Sequence, residues 1–257
     1  MAKDLFELLE RGSDNQRATA ALSFRFAVSL HSSGEQFSTE VLEGVLNSLK
    51  DPFHQVRKNS LLSFYSILNS VKTADVRGVV GRFQDQVYKQ TVVLAELIKE
   101  VDLGPFKHKV DKGIPLRRAA FDCMGVMLEQ YFEKLELTTF GEVLVDGLKD
   151  SAEEVKMKCY EVLVRLIQLT PDAVMSILDR FLEHATTYLN FLEKQIALGT
   201  DKEMSLSGMR VLLRTVLTWS RVKSIDQHRG FQDFMQKRVL AGKDAKVVYE
   251  ELYHKGG

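Results

Sequence analysis

Histidines, cysteines and paired carboxylates are the side chains that bind metals, attack carbonyls or move protons, so their spacing is read first. The six histidines stand at His31, His54, His108, His184, His228 and His254, with no paired spacing that would put two ligands on one helical face. The two cysteines, Cys123 and Cys159, have no CxxC or Cys/His companion, and they read as buried thiols of a reducing compartment. Glu153 and Glu154 read as solvated turn charges. His108 has only Asp102, Asp111 and lysines near it, without a motif spacing, and reads as a polar hairpin residue. Gly78, Gly81 and Gly104 are too scattered to cradle a phosphate, and GxGxxG, Walker, HExxH and GxSxG patterns do not occur. The expectation is a protein that is not an enzyme and holds no metal or cofactor.

Recognition by shape remains, and one stretch offers it. In residues 97–111, Val101 and Leu103 alternate with charged residues, as do Phe106, His108 and Val110. Alternation is the period of a strand, and Gly104-Pro105 between the two runs is a turn signal. Two short strands joined by a tight turn follow. Such a hairpin is marginal alone in water and must rest on helices or on a partner. Phe106, near its tip, either anchors an interface or folds back onto the helices.

The rest of the chain must hold that hairpin. Of 257 residues, 45% are hydrophobic and only four are proline, which favours helices. Leu116, Ala119, Ala120, Cys123, Met124, Met127, Leu128, Tyr131 and Phe132 follow steps of three and four. Val155, Cys159, Val162, Leu163, Leu166 and Ile167 do the same, then Val174, Ile177, Leu178, Phe181, Leu182, Tyr188 and Leu189 after a start at Pro171-Asp172. Further helices are expected near 5–10, 15–30, 40–50, 56–71, 75–95, 137–149, 205–219, 225–240 and 244–253.

Lys and Arg number 35 and Asp and Glu 35, so no global charge draws the chain to nucleic acid or anionic lipid. Arg117-Arg118 and Lys237-Arg238 read as solvated helix faces, and no direct nucleic-acid contact is expected. No apolar run approaches the roughly 18 residues of a membrane span, and the N-terminal charges do not suit a signal peptide. The expectation is a soluble, intracellular protein with no membrane partner.

Three points share a pattern of turn, apolar residue and base ahead of a helix. They are Asp51-Pro52-Phe53-His54-Gln55-Val56-Arg57, Gly113-Ile114-Pro115-Leu116-Arg117 and Asp150-Ser151-Ala152-Glu153-Glu154-Val155-Lys156. Leu116 and Val155 are 39 positions apart, one HEAT unit. Val56 and Leu116 are 60 apart, which leaves an insertion of about twenty residues around the hairpin. The turn aspartate can cap free N–H groups and the base can ladder along the stack. The fold class predicted is all-α: a HEAT-repeat, armadillo-like α-α superhelix with one β-hairpin inserted at 97–111. Residues 1–50 would form divergent N-terminal repeats and 51–257 the main repeat domain, in one continuous solenoid.

The core G-P-F-K-H-x-V-D-x-G over Gly104-Pro105-Phe106-Lys107-His108-Lys109-Val110-Asp111-Lys112-Gly113, followed by Arg118-Ala119-Ala120-Phe121, is long and unusual. It resembles the C-terminal region of the cullin-associated, neddylation-dissociated protein family, also described as a TATA-binding-protein-interacting domain. The likeness continues through Asp146-Gly147-Leu148-Lys149-Asp150 and loosens after about residue 190. The resemblance implies a HEAT solenoid that grips a cullin–RING core lacking its ubiquitin-like modifier. It implies competition with the substrate-receptor adaptor through the hairpin, and regulated assembly or receptor exchange of cullin–RING ubiquitin ligases such as SCF complexes. Val101, Leu103, Gly104, Pro105, Phe106, Lys107, His108 and Lys109 would be the partner-binding residues, acting in cytoplasm, nucleus or both. Family members are far longer, so the chain would be a fragment or a truncated paralogue, or a separate N-terminal HEAT polypeptide would supply the rest of the grip. The alternatives are a transcription cofactor touching the TATA-binding protein and a general helical adaptor.

Overall fold

Steps of three and four in the apolar residues produce helices, and each helix must lay its stripe on a neighbour. The computed structural model describes residues 2–30, 39–70, 74–103 and 106–255, and it is all-α and HEAT-like with one inserted β-hairpin. The chain divides into two compact units, Met1–Glu136 and Leu137–Gly257.

In the first unit, α1 (Ala2–Arg11), α3 (Thr39–Ser48) and α5 (Ala74–Tyr88) form one row. The second row is α2 (Asp14–Leu30), α4 (His54–Ser70) and α6 (Ile114–Tyr131). Phe24, Phe64 and Phe83 are fully buried between the rows, and the Phe64 and Phe83 rings stack at 3.7 Å. Small residues let the second row approach closely, and polar side chains then bridge it. Asn59 Nδ2 donates to the Ala18 carbonyl at 2.7 Å and Ser63 Oγ to that of Ala21 at 2.6 Å. Cys123 Sγ donates to the Leu61 carbonyl at 3.2 Å, joining α6 to α4. These buried bonds spare the backbone nothing it needed, since carbonyls have a second lone pair, but they fix which turn of one helix faces which turn of the next.

The second unit runs α7 (Leu137–Gly147), α8 (Glu153–Leu169), the short α9 (Pro171–Val174), α10 (Leu178–Leu198), α11 (Lys202–Trp219), α12 (Arg229–Phe234) and α13 (Lys243–Lys255). Here α8, α11 and α13 follow one another in one row, with α7, α10 and α12 in the other. Pro171 opens α9 and Gly199, at φ 71°, closes α10 in the left-handed region that glycine tolerates.

Some boundaries differ from expectation. The helix expected near 75–95 stops at Tyr88 because Gln90 turns inward, its Nε2 donating to the Leu49 carbonyl at 3.2 Å. The stretch 225–240 is three pieces: a 3-10 turn at Ile225–Gln227, then α12, then a π-helical turn at Met235–Leu240. His228 makes the restart by accepting the Phe231 N–H at Nδ1, 3.2 Å away. Phe132, expected in the core, is 45% exposed because it begins a 3-10 turn beyond α6.

Candidate functional site: an exposed hairpin

The strands β1 (Ile98–Leu103) and β2 (Phe106–Asp111) form an antiparallel pair between α5 and α6. The register matches Ile98 with Asp111, Lys99 with Val110, Glu100 with Lys109, Val101 with His108, Asp102 with Lys107 and Leu103 with Phe106. Gly104 and Pro105 lie outside the described residues. Among the described side chains between Ile98 and Val110, every one is exposed, including Val101 at 38% and Val110 at 43%. Neither strand packs extensively on a helix. The hairpin is a projection, and its alternation separates two rows. Positions 99, 101, 103, 106, 108 and 110 form one, and 98, 100, 102, 107, 109 and 111 the other.

The base of this projection is anchored. Leu97 is buried, and its carbonyl accepts from the Lys112 N–H at 3.0 Å. Asp111 Oδ1 accepts from the Gly113 N–H at 2.7 Å, while Oδ2 lies 2.8 Å from Arg117 Nη2. Arg117 is 1% exposed, so the expectation of a solvated base holds for Arg118 and fails for Arg117. A buried guanidinium needs a carboxylate, and the last residue of β2 supplies it. A β-carbon on Gly113 would meet Asp111 Oδ1 at 3.0 Å, Arg117 Nη1 at 3.1 Å and Leu97 Cδ1 at 3.2 Å, so this crowded foot suits glycine.

Asp111 also shows the hairpin foot to be a HEAT turn. The side chains of Asp51, Asp111 and Asp150 each accept the N–H two residues on, at 2.8, 2.7 and 2.8 Å. Five residues after each acid comes a buried apolar residue, Val56, Leu116 or Val155, and six after it a base, Arg57, Arg117 or Lys156. Sequence reasoning began the middle copy at Gly113 and left its acid, Asp111, inside the strand pattern.

The bases ladder within the first unit. Arg17 clasps Asp51 through Nε to Oδ2 at 2.7 Å and Nη2 to Oδ1 at 3.1 Å. Burial opposes ionisation of Asp51, yet the hydrogen bonds from Arg17 and from the Phe53 N–H, with the charges of Arg17 and Arg57, hold its carboxyl below the usual range. Arg57 donates to Gln90 Oε1 at 2.9 Å and to the Asp51 carbonyl at 2.8 Å. Gln90 thus takes the place an aspartate has elsewhere. In the second unit Lys156 departs from the ladder: it pairs with Glu153 at 2.8 Å and lies over the Tyr188 ring at 4.7 Å. Glu153 is therefore engaged, while Glu154 is exposed. Arg238 is also engaged, reaching Asn190 and Glu193, whereas Lys237 is exposed.

The potentially reactive groups are held in inert settings. Burial pushes the Cys123 and Cys159 thiols above the usual thiol range, and both are free cysteines. No group of three metal-ligating side chains occurs among the described residues, and no helix of the described residues is long and apolar enough to cross a membrane.

A protein-family model described as TATA-binding protein interacting (TIP20) matches residues 75–238, a span that includes the hairpin and its anchor. The chain is similar to a "Cullin-associated NEDD8-dissociated protein 1" of Dictyostelium discoideum, 30% identical over 91% of this chain and 19% of that protein. A protein of the same name from Drosophila melanogaster is 33% identical over 80% of this chain and 16% of the relative. One from Emericella nidulans, described as the C-terminal part, is 26% identical over 90% of this chain and 22% of the relative. The chain thus spans about a fifth of the length of the curated relatives it matches. Among solved structures, the crystal structure of an engineered protein covers 100% of the chain at a TM-score of 0.57 and 13% identity, with 99% of its own length covered, a likeness of fold alone.

Proposed function

The chain belongs to the TATA-binding protein interacting (TIP20) family and matches the C-terminal region of the cullin-associated NEDD8-dissociated proteins; from that premise we propose that it is a non-catalytic scaffold that binds a cullin. In this reading it regulates assembly or substrate-receptor exchange of cullin–RING ubiquitin ligases, in cytoplasm, nucleus or both. The observation that carries the reading is the hairpin. A two-stranded element with exposed apolar residues on both strands is held at its foot by a buried ion pair. A fold that spends a buried charge on orienting a solvated finger gains from that finger's contact with something else.

The hairpin and an adaptor would occupy one cullin surface, so each weakens the other without covalent chemistry. The test is a titration of purified cullin lacking its ubiquitin-like modifier, with and without its adaptor. Binding that the adaptor suppresses is expected, and Phe106→Ala should weaken it by about 2 kcal/mol, the scale of an interface hot spot, with little change in melting temperature. An unchanged affinity with a large loss of melting temperature would make Phe106 structural.

The family description favours a second reading, a transcription cofactor that binds the TATA-binding protein. Parallel pulldowns with a cullin and with TATA-binding protein separate the two, and recovery of neither points to a general helical adaptor.

A further inference from the structure

The two rows of the hairpin differ in chemistry. One carries Glu100 and Asp102 directly opposite Lys109 and Lys107, with Lys107 Nζ also 3.8 Å from Glu100 Oε2. Opposite charges thus face one another across this row and remain hydrated, with the exposed Ile98 as its one apolar residue, at the foot. In the other row Val101 and Val110 are exposed, Lys99 and His108 stand directly opposite Val110 and Val101, and no residue is a carboxylate. Two exposed valines without local cover gain most from contact with a partner. Lys112 follows β2 directly and adds a further cation beyond the strand end. His54, on the first turn of α4, is held below the usual imidazole range by burial and then by the charges of Arg57, Lys112, Lys58 and Lys99. Asp51 and Glu96 partly offset the charge of Arg57.

We infer that the hairpin docks through the Lys99, Val101, His108 and Val110 row, onto an apolar protein surface rimmed by carboxylates, and turns its Glu100, Asp102, Lys107 and Lys109 row to solvent, so that Lys107 and Lys109, which the family resemblance counts among the partner-binding residues, lie off the contact. The assignment rests on the proposed cullin binding and adds to it which face is read and by what chemistry. Lys99 makes the contact salt-dependent, and the valines make it specific for an apolar patch.

The experiment measures binding of the full chain to a purified unmodified cullin by titration at low and high salt. Val101→Asp and Val110→Asp are each expected to weaken binding at least tenfold, Val110→Thr less, because threonine keeps the β-branched shape. Lys99→Glu should weaken binding several-fold at low salt and flatten its salt dependence. A quadruple exchange, Glu100→Lys with Lys109→Glu and Asp102→Lys with Lys107→Asp, preserves the cross-strand pairs and should leave affinity within about twofold. Circular dichroism and melting of each variant report folding, and Val110→Thr keeps the test open if an aspartate disturbs the strand. If the wild type binds and the quadruple exchange abolishes binding while the valine variants do not, the face assignment is overturned and the cullin reading stands. If the wild type does not bind, the cullin reading falls and takes the assignment with it.

Discussion

At the scale of single residues, His184 offers a direct reading of burial as stability. It lies on α10 with Nε2 3.0 Å from the Tyr160 hydroxyl and its ring stacked beside Tyr188. Burial, and then the charges of Lys156 and Lys149, lower its pKa to about 4. The folded state therefore resists a proton that the unfolded chain accepts at about 6.5. Stability from this residue is complete above about pH 6.5 and is lost as the pH falls toward 4, by at most on the order of 3 kcal/mol. Urea unfolding at pH 7, 6 and 5 should show that decline, and His184→Phe should flatten it while costing about 1 kcal/mol at pH 7 for the stranded Tyr160 hydroxyl. An equal slope in the variant would assign the decline to other groups. Asp51, held below the usual carboxylate range, works in the same direction at lower pH: its stabilisation is present once it ionises and is lost on further acidification.

At the scale of elements, the hairpin depends on its foot. Removing one member of a buried ion pair leaves the other uncompensated, at about 3–5 kcal/mol. Arg117→Met should destabilise the chain by that amount and speed amide exchange at residues 99–110, because Asp111 then loses the contact that fixes β2 to α6. Asp111→Asn keeps an acceptor for the Gly113 N–H and should preserve more of the protection. Unaltered exchange in Arg117→Met would move the source of order elsewhere. These residues also mark what was legible in advance. The strand alternation around Gly104-Pro105 and the helical steps of α6, α8 and α10 carry their own period, so the hairpin and the all-α class could be read locally. Asp111 was hidden because the same residue ends a strand pattern and begins a turn. Arg117 was misread because exposure is the default for a base, and only a partner six residues upstream reverses it. The end of α5 at Tyr88 rests on the bond from Gln90 to the Leu49 carbonyl, a contact across 41 residues that no local pattern reports. His228 likewise carries no local pattern, because its cap on the Phe231 N–H exists only once α12 is folded.

At the scale of the whole molecule, the proposed cullin binding is a question of coupled equilibria as well as of contact. The chain covers 19% of the Dictyostelium relative and 16% of the Drosophila one. Association has a rotational and translational cost that contact must recover, and on the cullin reading the described residues would contribute to that contact through one projection and its surroundings. On the cullin reading, competition with the adaptor then becomes a measurable coupling between two binding equilibria. If bound adaptor lowers the affinity of this chain by some factor, bound chain must lower that of the adaptor by the same factor. Overlap at the hairpin should make this factor at least about ten, or about 1.4 kcal/mol. Two calorimetric series close the cycle: chain into cullin with and without saturating adaptor, and adaptor into cullin with and without saturating chain. Equal factors above ten support a shared surface, and Val110→Asp should weaken the chain's own affinity without altering the adaptor's affinity for free cullin. A factor of one in both series means that chain and adaptor sit on the cullin independently, and the finger then serves a contact other than displacement.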